Sequence, residues 1–175
     1  MALNYLDLND ETRKFMLDEI QYDKQHDNFY RSNYLTPQGK DQWPSLLEES
    51  IAHDDAWLEE QLKRRGLLAQ FHTRRKPTGG TTQAKVPVTA AATLAEGEFN
   101  RLYARGLCAL VIAEGDQTVE AYRARASINP RPESQAIIGR KFIARDIIHD
   151  LRANPGVDST LGVPPGPNSG ISVKR

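Results

Sequence analysis

Apolar residues recur at helical spacing in the first third of the chain, and this pattern predicts three consecutive helices. The first helix follows a capping position at Asn9 or Asp10. Thr36 and Pro37 predict the start of the second, because a capping hydroxyl followed by a proline suits the first turn of a helix. Asp54 is placed to cap the third, so we expect residues 1–66 to form a helical unit.

The second half of the chain carries the clearest helical pattern. Thr93 and Glu96 match a capping box, in which each side chain accepts a hydrogen bond from a backbone amide at the helix start. Apolar residues between Phe99 and Val111 then share one face, and Gly115 is a typical stop. We therefore expect a long helix from residue 93 to Gly115.

Shorter elements are expected after this helix. Within residues 119–125, Tyr122 and Ala124 alternate with the charged residues Arg123 and Arg125. This alternation predicts a β-strand with two different faces. Pro130 and Pro132 fix backbone angles and predict an ordered turn. Ile143 and Ile147 lie at helical spacing and predict a last helix.

Two segments lack such periodicity. Residues 67–92 predict a flexible linker or an extended arm. Residues 157–175 are rich in proline and glycine and cannot fold alone, because ordering the backbone costs roughly 1–2 kcal/mol per residue. This tail is either disordered or an arm that becomes ordered on a neighbouring subunit. In the second case we expect it to bind through four spaced apolar residues, Leu161, Val163, Ile171 and Val173.

Together these elements predict an α+β fold with four parts. Residues 1–66 form an acidic helical unit, and residues 67–92 form a basic linker or extended arm. Residues 93–156 form a compact helix–strand–turn–helix unit, and residues 157–175 form an extended C-terminal arm.

Charge is divided unevenly along the chain, although it sums to zero. Residues 1–62 hold 14 Asp and Glu against 5 Lys and Arg, a net charge of −9. Residues 63–175 hold 9 Asp and Glu against 18 Lys and Arg, a net charge of +9. Such asymmetry bears on partners and association rather than on fold. It favours an interaction protein in which opposite charges orient neighbouring subunits.

The sequence contains no recognisable catalytic, metal-binding or cofactor-binding motif. His53, Asp54 and Asp55 are adjacent on a predicted helix and point in different directions, which makes a poor metal site. Cys108 lies among apolar residues, which favours a buried and inert thiol. We therefore expect no enzyme activity and no cofactor. No apolar run is long enough to span a bilayer, so we expect no membrane partner.

Basic clusters are the strongest functional signal. Arg74, Arg75 and Lys76 lie in the segment between the two predicted units and are candidate partner-binding residues. Such a cluster can contact phosphates, with an affinity that falls steeply as salt rises. No DNA- or RNA-binding motif accompanies it, and the acidic half of the chain would repel nucleic acid. An acidic protein surface is therefore the favoured partner, with nucleic acid as the alternative.

Four further charged residues are candidates for a structural anchor. Arg101 and Arg105 lie one turn apart on the long predicted helix. They form either part of a surface ladder of ion pairs or a buried pair that docks the proline-rich turn through Glu133. Arg131 lies in the same turn.

Several segments resemble a family of small proteins from tailed bacteriophages and prophages. They run from Glu96 to Cys108 (EGEFNRLYARGLC), from Val119 to Ala124 (VEAYRA), from Pro130 to Ser134 (PRPES) and from Leu161 to Gly170 (LGVPPGPNSG). The resemblance covers residues 86–173 and, more weakly, the N-terminal helices. It implies a phage origin and a place among head genes. The family offers no biochemical role to carry over to individual residues.

We therefore expect a non-enzymatic structural protein of a phage particle, as an accessory or decoration protein of the head. It would bind capsid or other virion subunits through extended arms and charge complementarity, and would be made in the cytoplasm of the host bacterium. A nucleic-acid-binding accessory factor that uses the basic linker and the second unit is the first alternative. A phage-encoded inhibitor that presents the acidic helices to a host protein is the second.

Overall fold

The computed structural model describes residues 2–127, 129–156 and 159–175, and these residues form an α+β fold. In chain order the elements are α1 (Asp10–His26), α2 (Pro37–Ser50), α3 (Asp55–Arg64), β1 (Phe71–Arg75), β2 (Thr81–Lys85), α4 (Ala90–Ala113), β3 (Thr118–Arg123), α5 (Pro132–Ala136), β4 (Lys141–Ile143), α6 (Ala144–Ala153) and β5 (Ile171–Lys174). The predicted class is therefore confirmed, and the arrangement of the parts differs from the prediction.

Side-chain caps start the first three helices where the sequence predicts them. The side-chain oxygens of Asn9, Thr36 and Asp54 each accept a hydrogen bond of 2.8–2.9 Å from the backbone amide three residues later. Pro37 occupies the first turn of α2, as predicted. Each such cap is worth about 1 kcal/mol and favours a helix start at its position.

Helix α4 begins three residues earlier than predicted, at Ala90. Thr93 therefore lies inside the helix, and the capping-box prediction is wrong. The carboxylate of Glu96 instead pairs with Arg125 at 2.5 Å and accepts a hydrogen bond of 2.9 Å from the backbone amide of Asn168. A guanidinium partner offers a stronger, charge-assisted hydrogen bond than a helix-start amide does.

Helix α4 is buried on nearly every side, because it packs against α1, α3 and α6. Its mostly apolar sequence suits this central position. One hydrophobic core joins Met16, Trp43 and Leu58 from the acidic half to Phe99 and Ile147 from the basic half. The predicted acidic unit and the predicted compact unit therefore do not have separate cores.

The crossing of α1 over α4 depends on Gly106. A Cβ atom at this position would lie 2.5 Å from the Cγ atom of Met16 and 2.9 Å from the Met16 backbone nitrogen. A helix backbone cannot move aside as the end of a flexible side chain can. The two helices therefore approach this closely only because residue 106 has no side chain.

We expect Gly106→Ala to lower the free energy of unfolding by about 1–3 kcal/mol through overpacking, although alanine is the better helix former. Gly97→Ala on the same helix is the matched control, because its Cβ would meet only the ring of Pro167, at 3.4 Å. The control should be neutral or stabilising. Urea unfolding of both variants measures the difference, and equal effects would contradict the close packing of α1 on α4.

Strand β3 is the centre of a three-stranded antiparallel sheet with the order β4-β3-β5. The strand predicted at residues 119–125 is confirmed, with bounds of Thr118–Arg123. Its partner β5 places Ile171 opposite Arg123 and Val173 opposite Ala121. The last residues of the chain are therefore part of the sheet.

The predicted C-terminal arm folds back on its own chain. Val163, Ile171 and Val173 are completely buried, and this contradicts the prediction that they bind a neighbouring subunit. Leu161 is 40% exposed. Of the four apolar tail residues, it is therefore the one for which a role in partner binding stays a prediction. The segment gains strand pairing and apolar burial inside the molecule, and its prolines reduce the entropy lost on ordering.

Candidate functional site

Residues 67–92, predicted as a linker or arm without regular structure, contain an antiparallel hairpin. Its strands β1 and β2 pair from Phe71 opposite Lys85 to Arg75 opposite Thr81. Gly79 and Gly80 in the loop have φ angles of +90° and +78°, which glycine adopts without steric cost. The loop thus reverses the chain within five residues, 76–80.

The hairpin is attached to the rest of the protein at its base. The backbone amide of Val86 donates to the carbonyl of Gln70 at 2.9 Å, and the His72 ring packs edge-on against Tyr34 with centroids 4.8 Å apart. Within the described residues, β1 and β2 pair only with each other. A two-stranded ribbon is marginally stable alone, and its open edges offer backbone groups to a partner.

The two faces of the hairpin differ, because residues paired across an antiparallel ribbon share a face. One face holds His72 and Ala84, which are partly buried against the rest of the protein. The other holds Phe71, Arg75 and Lys85, which are all exposed, and the Phe71 ring is 52% exposed. Aromatic and arginine side chains are enriched at protein interfaces, so this outer face is typical of a binding surface.

The hairpin has a net charge of +4, with four Lys and Arg and no Asp or Glu between Phe71 and Lys85. Arg74, Arg75 and Lys76 are exposed and form no ion pair among the residues that the structure describes. The three predicted partner-binding cations thus lie together on one element. Arg75 shares the outer face with Phe71 and Lys85, both of which the sequence analysis missed, while Arg74 lies on the same face as His72.

Exposed carboxylates are numerous on the first three helices of the same chain. Those without an ion pair, counting described residues only, are called the acidic face below and belong to Asp10, Glu11, Asp18, Asp41 and Glu60. The same helices also carry two exposed cations without an ion pair, Lys14 and Arg64. Folding therefore leaves unpaired cations on the hairpin and unpaired carboxylates on α1–α3. The exposed charge is therefore entirely basic on the hairpin and mixed with an acidic excess on α1–α3.

Arg105 is a buried anchor, but its partners lie on α1. Its guanidinium donates to Glu19 at 2.6 Å and to the two carboxylate oxygens of Asp23 at 2.8 and 2.9 Å. Arg152 of α6 donates to the other oxygen of Glu19 at 2.6 Å. Burial acts to raise the pKa of Glu19, yet the hydrogen bonds and charges of Arg152 and Arg105 outweigh it and hold the pKa below its usual value. This network joins α1, α4 and α6.

The predicted docking of the proline-rich turn on the long helix is wrong. Arg131 and Glu133 are exposed at this turn. Arg101 instead donates to the backbone carbonyl of Leu151 at 2.7 Å and lies 3.7 Å from the carboxylate of Glu98. Among the described residues, Arg131 and Glu133 form no ion pair or side-chain hydrogen bond with the long helix.

The described part of the chain shows no arrangement for metal chemistry. No group of three or more His, Cys, Asp or Glu among these residues is arranged to hold a metal ion. Cys108 is buried as predicted, and burial raises the pKa of its thiol well above the usual value, which makes it a poor nucleophile. Among the same residues, no helix is both long and apolar enough to cross a bilayer.

Comparison with known proteins identifies no relative. No protein-family model, no curated protein and no solved structure matches this chain. The hairpin is therefore a candidate site on the strength of its own residues and geometry.

Proposed function

We propose that this protein is a non-enzymatic assembly protein that binds an acidic surface of a neighbouring protein subunit through the β1–β2 hairpin. The observation that carries the proposal is the exposed charge of +4 on this element, with no acidic residue to offset it. Like charges held together on one ribbon repel each other, and an acidic partner relieves this repulsion. The setting is a phage particle, as an accessory or decoration protein of the head made in the host cytoplasm, and it rests on the sequence resemblance.

The acidic face of α1–α3 on another copy is the partner surface that we propose first. Its five unpaired carboxylates among the described residues complement the four cations of the hairpin. Because the hairpin and the acidic face are different surfaces, their contact is head-to-tail. Such contacts propagate into rings or open arrays, which suits a repeating particle.

Reversing the hairpin charge should abolish self-association. We expect the wild-type protein to form larger species in sedimentation velocity at about 0.05 M salt and to dissociate at about 0.5 M, where surface charges are screened. The variant Arg74→Glu/Arg75→Glu/Lys76→Glu should remain monomeric at both concentrations, because its hairpin now repels the acidic face.

A charge reversal outside the hairpin is the matched control. Arg140, Lys141 and Arg145 are also exposed, and changing all three to Glu shifts the net charge by the same amount. This control should self-associate like the wild type. If both triple variants lost self-association equally, overall charge rather than the hairpin would be the cause. A wild-type protein that stays monomeric in all conditions would contradict the proposal.

Nucleic-acid binding is a second candidate function, favoured by the shape of the hairpin. A two-stranded β-ribbon fits the major groove of DNA, and the exposed Phe71 ring suits stacking on an unpaired base. Its test is titration with a duplex of about 20 base pairs, where log K should fall linearly with log salt. Arg74→Ala/Arg75→Ala should reduce that slope. Duplex binding without self-association favours this function, and self-association without duplex binding favours the first.

A further inference from the structure

A cavity of about 290 Å³ lies between the N-terminal half of α4, the segment after α1 and the proline-rich C-terminal loop. Tyr30 and Tyr34 line it from the segment after α1, and Pro164 and Pro165 line it from the loop. Glu98 of α4 contributes a carboxylate to the same lining. Glu96, Asn100 and Arg101 also line the cavity. A mainly apolar wall with a limited number of polar groups is typical of a ligand site.

In the part of the chain that the structure describes, no donor lies within hydrogen-bond distance of the Glu98 carboxylate. Its side chain is only 13% exposed, and its one polar contact among the described residues is the Nε atom of Arg101 at 3.7 Å, beyond hydrogen-bond distance. The guanidinium of Arg101 meanwhile donates to the carbonyl of Leu151 at 2.7 Å. Because an ionised carboxylate accepts about four hydrogen bonds, Glu98 has unused capacity on the cavity wall.

The positive charges near Glu98 do not cancel the effect of burial on its pKa. Burial raises the pKa of Glu98 to about 7, although Arg101 and Arg105 act to lower it, and Asp23 adds to the rise. The carboxyl group is therefore partly protonated at neutral pH. A further cation beside it would favour the ionised form and release a proton.

We propose that this cavity binds a guanidinium or ammonium group carried on a short apolar chain. The carboxylate of Glu98 accepts the charge-assisted hydrogen bonds of the cation. The rings of Tyr30 and Tyr34 attract positive charge, and the prolines cover the apolar chain. A volume at the lower end for ligand sites suits one group the size of an arginine side chain. No hairpin residue lines the cavity, so this proposal stands apart from the hairpin proposal.

The cation has two sources, a free small amine or a basic side chain of a partner protein. Calorimetric titration of the full chain with agmatine represents the first source, and an acetylated and amidated Gly-Arg-Gly peptide represents the second. Tighter binding of agmatine indicates a small ligand, and tighter binding of the peptide indicates a protein side chain. At about pH 6.5, between the usual carboxyl pKa and that of Glu98, the measured heat should depend on the ionisation enthalpy of the buffer, because binding releases a proton.

Glu98→Gln should weaken binding by about 10- to 100-fold and remove the proton release, since a neutral amide replaces the carboxylate. Glu133→Gln is the matched control, because Glu133 is an exposed carboxylate outside the cavity. Tyr30→Leu keeps the apolar lining, removes the aromatic ring and should weaken binding by roughly 2- to 10-fold. Thermal unfolding checks that each variant is folded. The proposal is overturned if neither probe binds the wild-type protein, or if Glu98→Gln binds as tightly as the wild type.

Discussion

Arg105→Leu should lower the free energy of unfolding by about 3–5 kcal/mol, because it leaves the buried carboxylate of Asp23 without its guanidinium and leaves Glu19 with Arg152 alone. The side chains of Glu19 and Asp23 are only 3% and 6% exposed, and water cannot replace the guanidinium. The loss would come from the carboxylates that stay behind rather than from the arginine itself. Arg105→Leu/Asp23→Leu should therefore recover part of the stability.

Urea unfolding of the monomer at high salt measures this effect. Arg65→Leu is the control, because Arg65 pairs with Glu49 at 2.7 Å where both side chains are substantially exposed. Such surface pairs contribute about 0–1 kcal/mol. If Arg105→Leu lost no more stability than Arg65→Leu, the buried network would not hold α1 against α4.

Ile171→Ala should lower the free energy of unfolding by about 2–5 kcal/mol, since it removes a completely buried side chain from β5. The same substitution in a free arm would leave the monomer unchanged. Leu161→Ala is the matched control, because Leu161 lies in the same tail and is 40% exposed. Its effect should be close to zero.

Urea unfolding at high salt distinguishes a tail that is part of the monomer from a tail that is a free arm. An effect of Ile171→Ala as small as that of Leu161→Ala, together with weaker self-association, would restore the interpretation of this tail as an intermolecular arm. A large effect on the monomer alone would support its place in the sheet.

Helix starts were predictable from the sequence because their chemistry is local. The caps at Asn9, Thr36 and Asp54 each involve a side chain and an amide three residues away. The start of α4 was not predictable in this way, because the carboxylate of Glu96 pairs with Arg125, which lies on a distant part of the chain. A short stretch of sequence contains a capping side chain and its amide partner, but it does not contain a partner as distant as Arg125.

The hairpin escaped prediction because neither of its faces is buried in the core. Without a buried face, its strands need no alternation of apolar and polar residues, which is the main strand signal. A weaker signal is present, since the run Lys-Pro-Thr-Gly-Gly between residues 76 and 80 has the length and glycines of a hairpin loop. The exposure that hid the element is also what makes it a candidate binding site.

The tail and the buried ion network were missed for related reasons. β5 pairs with β3 about fifty residues earlier, and no short pattern records such a long-range partner. Glu19 and Asp23 lie on the apolar stripe of α1 that includes Met16 and Ile20, and their spacing placed them on the buried face. The sequence analysis assigned them no role, because carboxylates are rarely buried without a partner and their partner Arg105 lies on another helix.

The tail belongs to the monomer's own fold, and the hairpin is exposed for docking. Backbone hydrogen exchange, measured at about 0.05 M and 0.5 M salt, tests both parts at once. Residues 171–174 should be protected in both conditions, and the hairpin should exchange readily in the high-salt monomer and slow down when the protein associates at low salt. Free exchange at residues 171–174 would show that the tail is not part of the monomer's fold, and a hairpin that is unaffected by association would show that it is not the docking element.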